Sequence, residues 1–429
     1  MPTLAALPAA VPSPLSSPAS AAAAGSIYRH AGFTQFLVAR LLAVMATQIQ
    51  AVVVAWQVYD LTREPIALAY VGLAQFLPML ALLLPAGDLI DRYSRKPILT
   101  LAWGLSAACA VALWWLAGHG SAGVAGIYAV LVVFGCARAF SAPALQSLLP
   151  QIVPREQLAQ ALAANSMLLR VASIGGPFVG GLLYAAGGGT LTYGVCAVSL
   201  TLATGLLTQV PVARAVVLAA TGTIWQRFGA GIHFIRSRPI ILGTISLDLF
   251  AVLLGGVVAL LPVYAHEVLK VGPAGLGALR SAMAAGEVIT GFYLAARPFD
   301  RHVGRRMFWA VAVFGLANLV FSLSHWFWLS IAALAVAGAA DMVSMYIRGA
   351  LVQFSTPDDM RGRVNAVNML FIGSSNELGE FRAGTAAHWL GAVPAALTGA
   401  LCTLGVVGLW SWQFASIRKV DRFEEASPR

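Results

Sequence analysis

Twelve apolar runs divide the 429-residue chain, near 34–59, 66–86, 97–117, 123–148, 161–185, 190–210, 239–263, 275–296, 307–323, 326–350, 364–386 and 392–415. Each is close to the roughly 20 residues that a helix needs to cross the hydrocarbon core of a bilayer. A soluble core has no use for so many. Mean hydropathy is +0.80 and 59% of residues are hydrophobic. The 42 glycines, costly in an isolated helix, suit membrane helices whose backbones approach closely. The pattern predicts an all-α integral membrane protein of twelve transmembrane helices.

What lies between the runs gives the organisation. Residues 1–30 are rich in Ala, Pro and Ser, with no Lys or Arg before Arg29, which predicts a disordered tail rather than a signal peptide. A longer polar segment, 211–238, splits the runs into sets of six at 31–210 and 239–415, and 416–429 forms a tail. Within 211–238, Trp225, Phe228, Ile232 and Ile235 recur at helical spacing while Arg227, His233 and Arg236 point elsewhere. An amphipathic interfacial helix fits, as does a solvated linker. With the N-terminus inside, nineteen of the 27 Lys and Arg fall in cytoplasmic segments. Arg63 and Lys270 fall outside, and six lie within helices. The positive-inside rule then places both termini in the cytoplasm of a cell whose inner (plasma) membrane holds the chain. The net charge of +10 is spread over these loops and does not form a nucleic-acid-binding face.

The sets of six resemble each other. The charged stretch Gly87-Asp88-Leu89-Ile90-Asp91-Arg92-Tyr93-Ser94-Arg95-Lys96 has a weaker copy at Asp300–Arg306, and Asp91 and Asp300 are 209 residues apart. Pro154 and Pro357 are each followed eleven residues later by an asparagine, Asn165 and Asn368, at an offset of 203. Two six-helix pseudo-repeats around a central cavity are a recognised transporter plan, with the substrate site at the midplane.

At these residues the chain resembles the major facilitator superfamily. Gly87, Leu89, Asp91, Arg92, Arg95 and Lys96 match its G-x-L-x-D-R-x-G-R-K loop, with Ser94 in place of the usual glycine. Gly176-Pro177-Phe178-Val179-Gly180-Gly181 is similar to the G-P-x-x-G-G element of exporters that run as antiporters. Arg138 stands where the family has an intramembrane arginine. Ala55–Thr62 and Pro357–Asn365 look like the branch that contains the enterobactin exporter and macrolide efflux pumps. The resemblance implies that Asp91 helps to lock the halves together on the inner side, near the start of the eleventh helix, with Arg92 and Arg138 in the same charge network.

No catalytic set is visible: no HExxH, no GK[ST] phosphate loop and no GxSxG. The expectation is therefore no enzyme, no metal and no cofactor. The four cysteines sit singly inside apolar runs as small hydrophobes. Charges within spans cost about 2.5–3.5 kcal/mol each on insertion scales, so they are paired or functional. The first set has Arg40, Arg138 and Arg170; the second has Asp248, Glu287, Asp341, Glu377 and Glu380 with Arg280, Arg348 and Arg382. We read a basic wall facing an acidic wall. Arg280 with Glu287, and Asp341 with Arg348, share helix faces and are also candidate structural pairs. Asp248 has no basic residue at helical spacing on its own helix. Asp248, Glu287, Glu377 and Glu380 are the candidates for proton coupling, and Arg40, Asp341 and Arg280 for substrate contact. A bland alternative for Arg40 is snorkelling to the interface.

Together these readings predict a monomeric secondary transporter, a proton-coupled exporter of a small amphiphilic molecule (siderophore-like or drug-like) working by alternating access. An importer or a lipid flippase on the same fold, or a non-transporting membrane sensor, are the alternatives.

Overall fold

The computed structural model describes residues 31–119, 123–154, 157–212 and 224–426. The expected tail at 1–30, part of the linker (213–223) and the last three residues lie outside them. All regular structure among the described residues is helical. The first group of helices is α1 (Ala31–Thr62), α2 (Pro65–Arg92), α3 (Arg95–His119), α4 (Val124–Ile152) and α5 (Leu158–Gln209). A short helix α6 (Ile224–Ser237) leads to the second group. This comprises α7 (Pro239–Gly255), α8 (Leu261–Val263), α9 (Gly272–Ala296), α10 (Val303–Leu323), α11 (Phe327–Phe354), α12 (Asp358–Leu390), α13 (Ala392–Gln413) and α14 (Ala415–Lys419).

Nine stretches among the described residues are long and apolar enough to cross a membrane, so the chain is a multi-pass membrane protein. One of the nine is α5, whose 52 residues would extend about 78 Å at 1.5 Å per residue. That is more than twice the bilayer core of about 30 Å. Its backbone leaves helical geometry at Gly187 and at Gly188, which has φ 64° and ψ −163°, a region open essentially to glycine alone. The break leaves two apolar arms, matching the separate runs expected near 161–185 and 190–210. Another stretch, Pro239–Val268, is interrupted after α7 ends at Gly255, and it finishes in a π-helical turn at Tyr264–Val268. The nine do not include α9 and α12, the helices that carry Arg280, Glu287, Glu377, Glu380 and Arg382. Helices that face protein rather than lipid need not be apolar all round.

Each group has its own core. Phe33, Phe36, Leu99, Leu113, Leu131, Leu148, Tyr193 and Leu207 are fully buried in a cluster drawn from α1–α5. Leu247, Met307, Ile347 and Leu351 anchor a cluster in the second group. A third cluster joins the groups, with Val52 and Trp56 of α1 against Leu260, Leu261, Tyr264 and Leu276. Two helix pairs carry most of the remaining contact between groups, α2 with α12 and α5 with α9. Both meet towards the end of the molecule that holds the α1–α2 turn: a Cβ on Gly384 would lie 2.9 Å from the Pro65 carbonyl.

The charged stretch expected as a loop after the second span is mostly helix. Residues 87–92 form the last turns of α2 and Arg95 opens α3, leaving only Tyr93 and Ser94 between them. Arg92 and Asp88 pair at 2.8 Å one turn apart at the end of this helix, and the cation suits a helix C-terminus. Tyr93 makes the turn in extended geometry, φ −118°. No left-handed residue is needed, which explains how Ser94 stands where a glycine was expected. The second charged stretch is a loop only at 300–302, where α10 begins, and it is clipped by the C-terminal segment. His302 N–H donates to the Asp421 carboxylate (3.0 Å), and the Val303 and Gly304 N–H groups donate to the Asp421 and Val420 carbonyls. Those are orphan donors of the first turn of α10, satisfied by a segment about 120 residues away.

In α6, Ile235 is buried and Phe228 and Ile232 are partly buried, while His233 and Arg236 are exposed. Its apolar face packs on Val364, Val367 and Phe371 of α12 and on Ile241 and Ile245 of α7. The side chains of Trp225 and Arg227 lie outside the described residues.

Candidate transport site

A cavity of about 140 Å³ lies between the two groups. The first group supplies Ala51 and Ala55 (α1), Leu68, Val71, Gly72 and Gln75 (α2), and Arg138 (α4); the second supplies Ala259, Pro262, Arg280 (α9), Glu377 and Glu380 (α12). An Arg138 guanidinium nitrogen, Nη1, lies 3.6 Å from Glu377 Oε1 and donates to Gln75 Oε1 at 3.3 Å. The position of Gly72 leaves room for the acids: a Cβ there would sit 3.6 Å from Glu377 Oε2 and 3.7 Å from Glu380 Oε2. Both carboxylates, one turn apart on α12, thus press into the same gap in α2. Arg280 faces the same space, and its Nε is buried without a hydrogen-bond partner. Two cations and two acids therefore share one small chamber, one of each sign meeting across the divide between groups.

Further along α5 and α9, Arg170 reaches across to α11, its Nη2 3.9 Å from the Met342 sulfur. Asp341 precedes Met342, and Glu287 lies on the neighbouring α9. The backbones of α9 and α11 nearly touch there: a Cβ on Gly286 would fall 1.9 Å from the Ala335 carbonyl. Neither Glu287 nor Asp341 has an ion-pair partner within 4 Å among the described residues. Arg280 and Glu287, seven apart on α9, serve the two ends of this charged interior and do not pair with each other.

The remaining residues separate from this interior. Asp248 is paired after all, with Arg348 of α11, and both side chains are buried. A partner on another helix leaves no trace in the spacing of α7, and the pairing takes Arg348 away from Asp341. Arg40 is 8% exposed, and its Nε has no hydrogen-bond partner, so it does not snorkel. Arg138 does not meet Arg92 as the resemblance implied. It lies fourteen residues before the end of α4, about 20 Å along the axis, whereas Arg92 ends α2 and is exposed. The Asp91 side chain lies outside the described residues. Arg95 opens α3, and Lys96 Nζ ties that helix to α5 through the Thr208 and Val210 carbonyls at 2.8 and 2.7 Å. Gly87 has open space around it.

The Gly-Pro-x-x-Gly-Gly run serves two neighbours. A Cβ on Gly176 would lie 2.4 Å from the Gln48 side chain, and one on Gly180 would lie 3.1 Å from the Ile49 backbone, both on α1. On the other side, a Cβ on Gly181 would strike the Pro273 carbonyl at 2.5 Å, and one on Gly277 would strike the Pro177 carbonyl at 2.5 Å. Ser281 Oγ donates to the Ile174 carbonyl at 2.7 Å. Here α5 and α9 cross backbone to backbone, the packing that small residues allow.

Sequence reasoning missed a second set of contacts between the groups, at the α1–α2 end. The Tyr59 hydroxyl meets the Glu267 carboxylate, and Arg63 Nη1 lies 2.9 Å from His266 Nδ1. The available signal was Arg63, one of two basic residues on the sparsely charged side.

This arrangement of helices has known counterparts. The model of a family described as transmembrane secretion effector, one of the major facilitator families, matches residues 22–428. The chain belongs to this family. Members are membrane transporters, not enzymes. The chain is 25% identical to the enterobactin exporter EntS of Shigella dysenteriae serotype 1 (strain Sd197) over 342 residues, 79% of this chain and 81% of that protein. The EntS protein of Escherichia coli O1:K1 / APEC gives the same identity and coverage. Among solved structures, a bacterial homologue of the iron transporter ferroportin in an inward-facing state is similar, with a TM-score of 0.71 and 18% identity, covering 92% of this chain and 100% of that one. A bacterial homologue of the lysosomal transporter Spinster, inward-facing and occupied, gives 0.68 at 15% identity, with coverage of 92% and 97%. At these identities the likeness shows the fold.

Proposed function

We propose that this member of the family is a proton-coupled exporter of a small amphiphilic molecule, working by alternating access in the inner membrane with both termini cytoplasmic. Counting the arms of α5 separately, and taking Pro239–Val268, α9 and α12 as spans, supports the reading of twelve helices in two pseudo-repeats. The observation that carries the reading is the Arg138–Glu377 contact in the small cavity between the groups. A carboxylate that holds the halves together only while ionised can couple proton uptake to their separation. Glu377 and Glu380, side by side at Gly72, resist double ionisation, which makes one of them a ready proton carrier. The likeness to an enterobactin exporter supports the export direction.

Packing at the α1–α2 end corresponds to an inward-open state if that end faces outward, as the distribution of Lys and Arg supports. The test is proteoliposomes with an imposed pH gradient, measuring proton movement and cargo flux for wild type, Glu377→Gln and Glu380→Gln. Coupled flux should be lost in at least one variant at equal protein incorporation. Proton movement that is unaltered in both variants would sink the coupling assignment.

A further inference from the structure

The two groups treat one buried position differently. Arg40 is the tenth residue of α1, and Asp248 is the tenth residue of α7. On the pseudo-repeat reading, the offset of 203 that takes Pro154 to Pro357 also takes Leu145 of α4 to Arg348 of α11. The second group thus holds an acid and a base at these two places, and they pair. The first group holds a base and a leucine. Leu145 packs on the apolar core of that group. Arg40 is 8% exposed, and among the described residues no hydrogen bond or ion pair engages its guanidinium. A full charge taken out of water without a partner is costly, and here no contact within the protein offsets it.

The place of Arg40 on its helix connects it to the cavity between the groups. Ala51, which lines that cavity, is eleven residues further along α1. Eleven residues make about three turns and about 16 Å, so the two residues share a face of the helix. Arg40 therefore stands on the face of α1 that runs from the cavity towards the N-terminal end of that helix, away from the packed α1–α2 turn.

We propose that Arg40 is the receiving site for an anionic group of the cargo, a carboxylate or comparable oxyanion carried on an apolar body. A guanidinium takes such a group through two parallel N–H···O bonds. The apolar core beside it suits the rest of an amphiphile. Arg138 and Arg280 lie further along, in the cavity, where Glu377 and Glu380 stand with them. Arg40 has no acid of its own and is the strongest anion site of the three. The inference rests on the exporter reading and deepens it, because it names the charge that the cargo carries.

The experiment is equilibrium dialysis of the full-length protein in phosphatidylcholine nanodiscs, with empty nanodiscs as the blank. The probe is naphthylacetate, an apolar ring with one carboxylate, and naphthylacetamide is its uncharged match in shape. Wild type should bind the acid at least about tenfold more tightly than the amide, the scale of one charged hydrogen-bonding partner. Arg40→Met should abolish that preference and should unfold at no lower temperature than wild type, since it removes an unpaired buried charge. Leu145→Glu keeps Arg40 and completes the pair in the order opposite to that of the second group, so it should lose the preference too. Wild type that does not distinguish acid from amide, or a preference that survives in both variants, overturns the site and leaves proton-coupled export standing. A clear loss of thermal stability in Arg40→Met makes the residue structural and also overturns it. A preference that disappears when phosphatidylglycerol is added to the discs assigns Arg40 to a lipid phosphate, and the cargo reading falls. If Glu377→Gln and Glu380→Gln leave proton movement unaltered while the preference for the acid holds, the coupling assignment falls and the anion site remains.

Discussion

Arg348 of α11 meets the carboxylate of Asp248 of α7 inside the second group, with the two side chains 6% and 9% exposed. A charge left there without its partner is costly. Asp248→Asn and Arg348→Met alone should each lower stability by about 3–5 kcal/mol. The double replacement should recover most of that loss. Thermal unfolding in detergent reads all three. A single Asp248→Asn that unfolds like wild type, yet abolishes proton movement, would reassign the residue from structure to coupling.

The crossing of α5 and α9 gives a second expectation. Gly181→Val or Gly277→Val pushes side-chain atoms into a backbone carbonyl already 2.5 Å from the Cβ position. Overpacking of this kind costs about 1–3 kcal/mol, and here it should also hold the groups apart. Membrane insertion should persist while flux falls at least about tenfold, since 1.4 kcal/mol is a factor of ten. Flux at the wild-type level in both variants would show that the crossing tolerates separation.

The C-terminal clip predicts a purely structural effect. Asp421→Ala removes the acceptor for the His302 N–H and should cost about 1 kcal/mol, as for other helix caps. Ending the chain at Lys419 removes two more acceptors and the Phe423 contacts with Tyr346 and Phe354, and should cost more. Unfolding curves of the two variants should rank in that order.

Exposed charge predicts a contrast. Asp88 and Arg92 are 44% and 70% exposed, and pairs of that kind contribute at most about 1 kcal/mol. Asp88→Asn should leave thermal stability nearly unchanged. Asp91→Asn, by the family resemblance, should lower transport at normal insertion. Flux assays at matched expression separate the two positions.

Much of the fold was legible because apolar length is a one-dimensional property. Residues 158–209 were readable as two spans from hydropathy alone, and Gly187 and Gly188 sit between them as the break requires. Pairings across helices were not legible. Asp248 looked solitary because its own helix offers no cation, and nothing in α7 points to a residue 100 positions away. Arg138 was picked out as an intramembrane charge, but its partner Glu377 depends on how α2, α4 and α12 rotate against each other. The charged stretch at 87–96 misled on its form: composition suggested a loop, whereas the helix runs through most of it and carries an i,i+4 pair near its end. The His266 cluster escaped because its members lie at span ends, where charged and polar residues are ordinary.

The α5–α9 crossing has a further consequence. Peptide backbone meets peptide backbone at Gly181 and Gly277, so on the alternating-access reading the Ser281–Ile174 hydrogen bond is the main side-chain tooth to disengage when the groups turn. On that reading the crossing acts as a nearly plain bearing, and a bearing is blind to what the machine carries. Engineering a new cargo should therefore be a matter of residues such as Gln75, Arg138 and Arg280, with the fulcrum left alone.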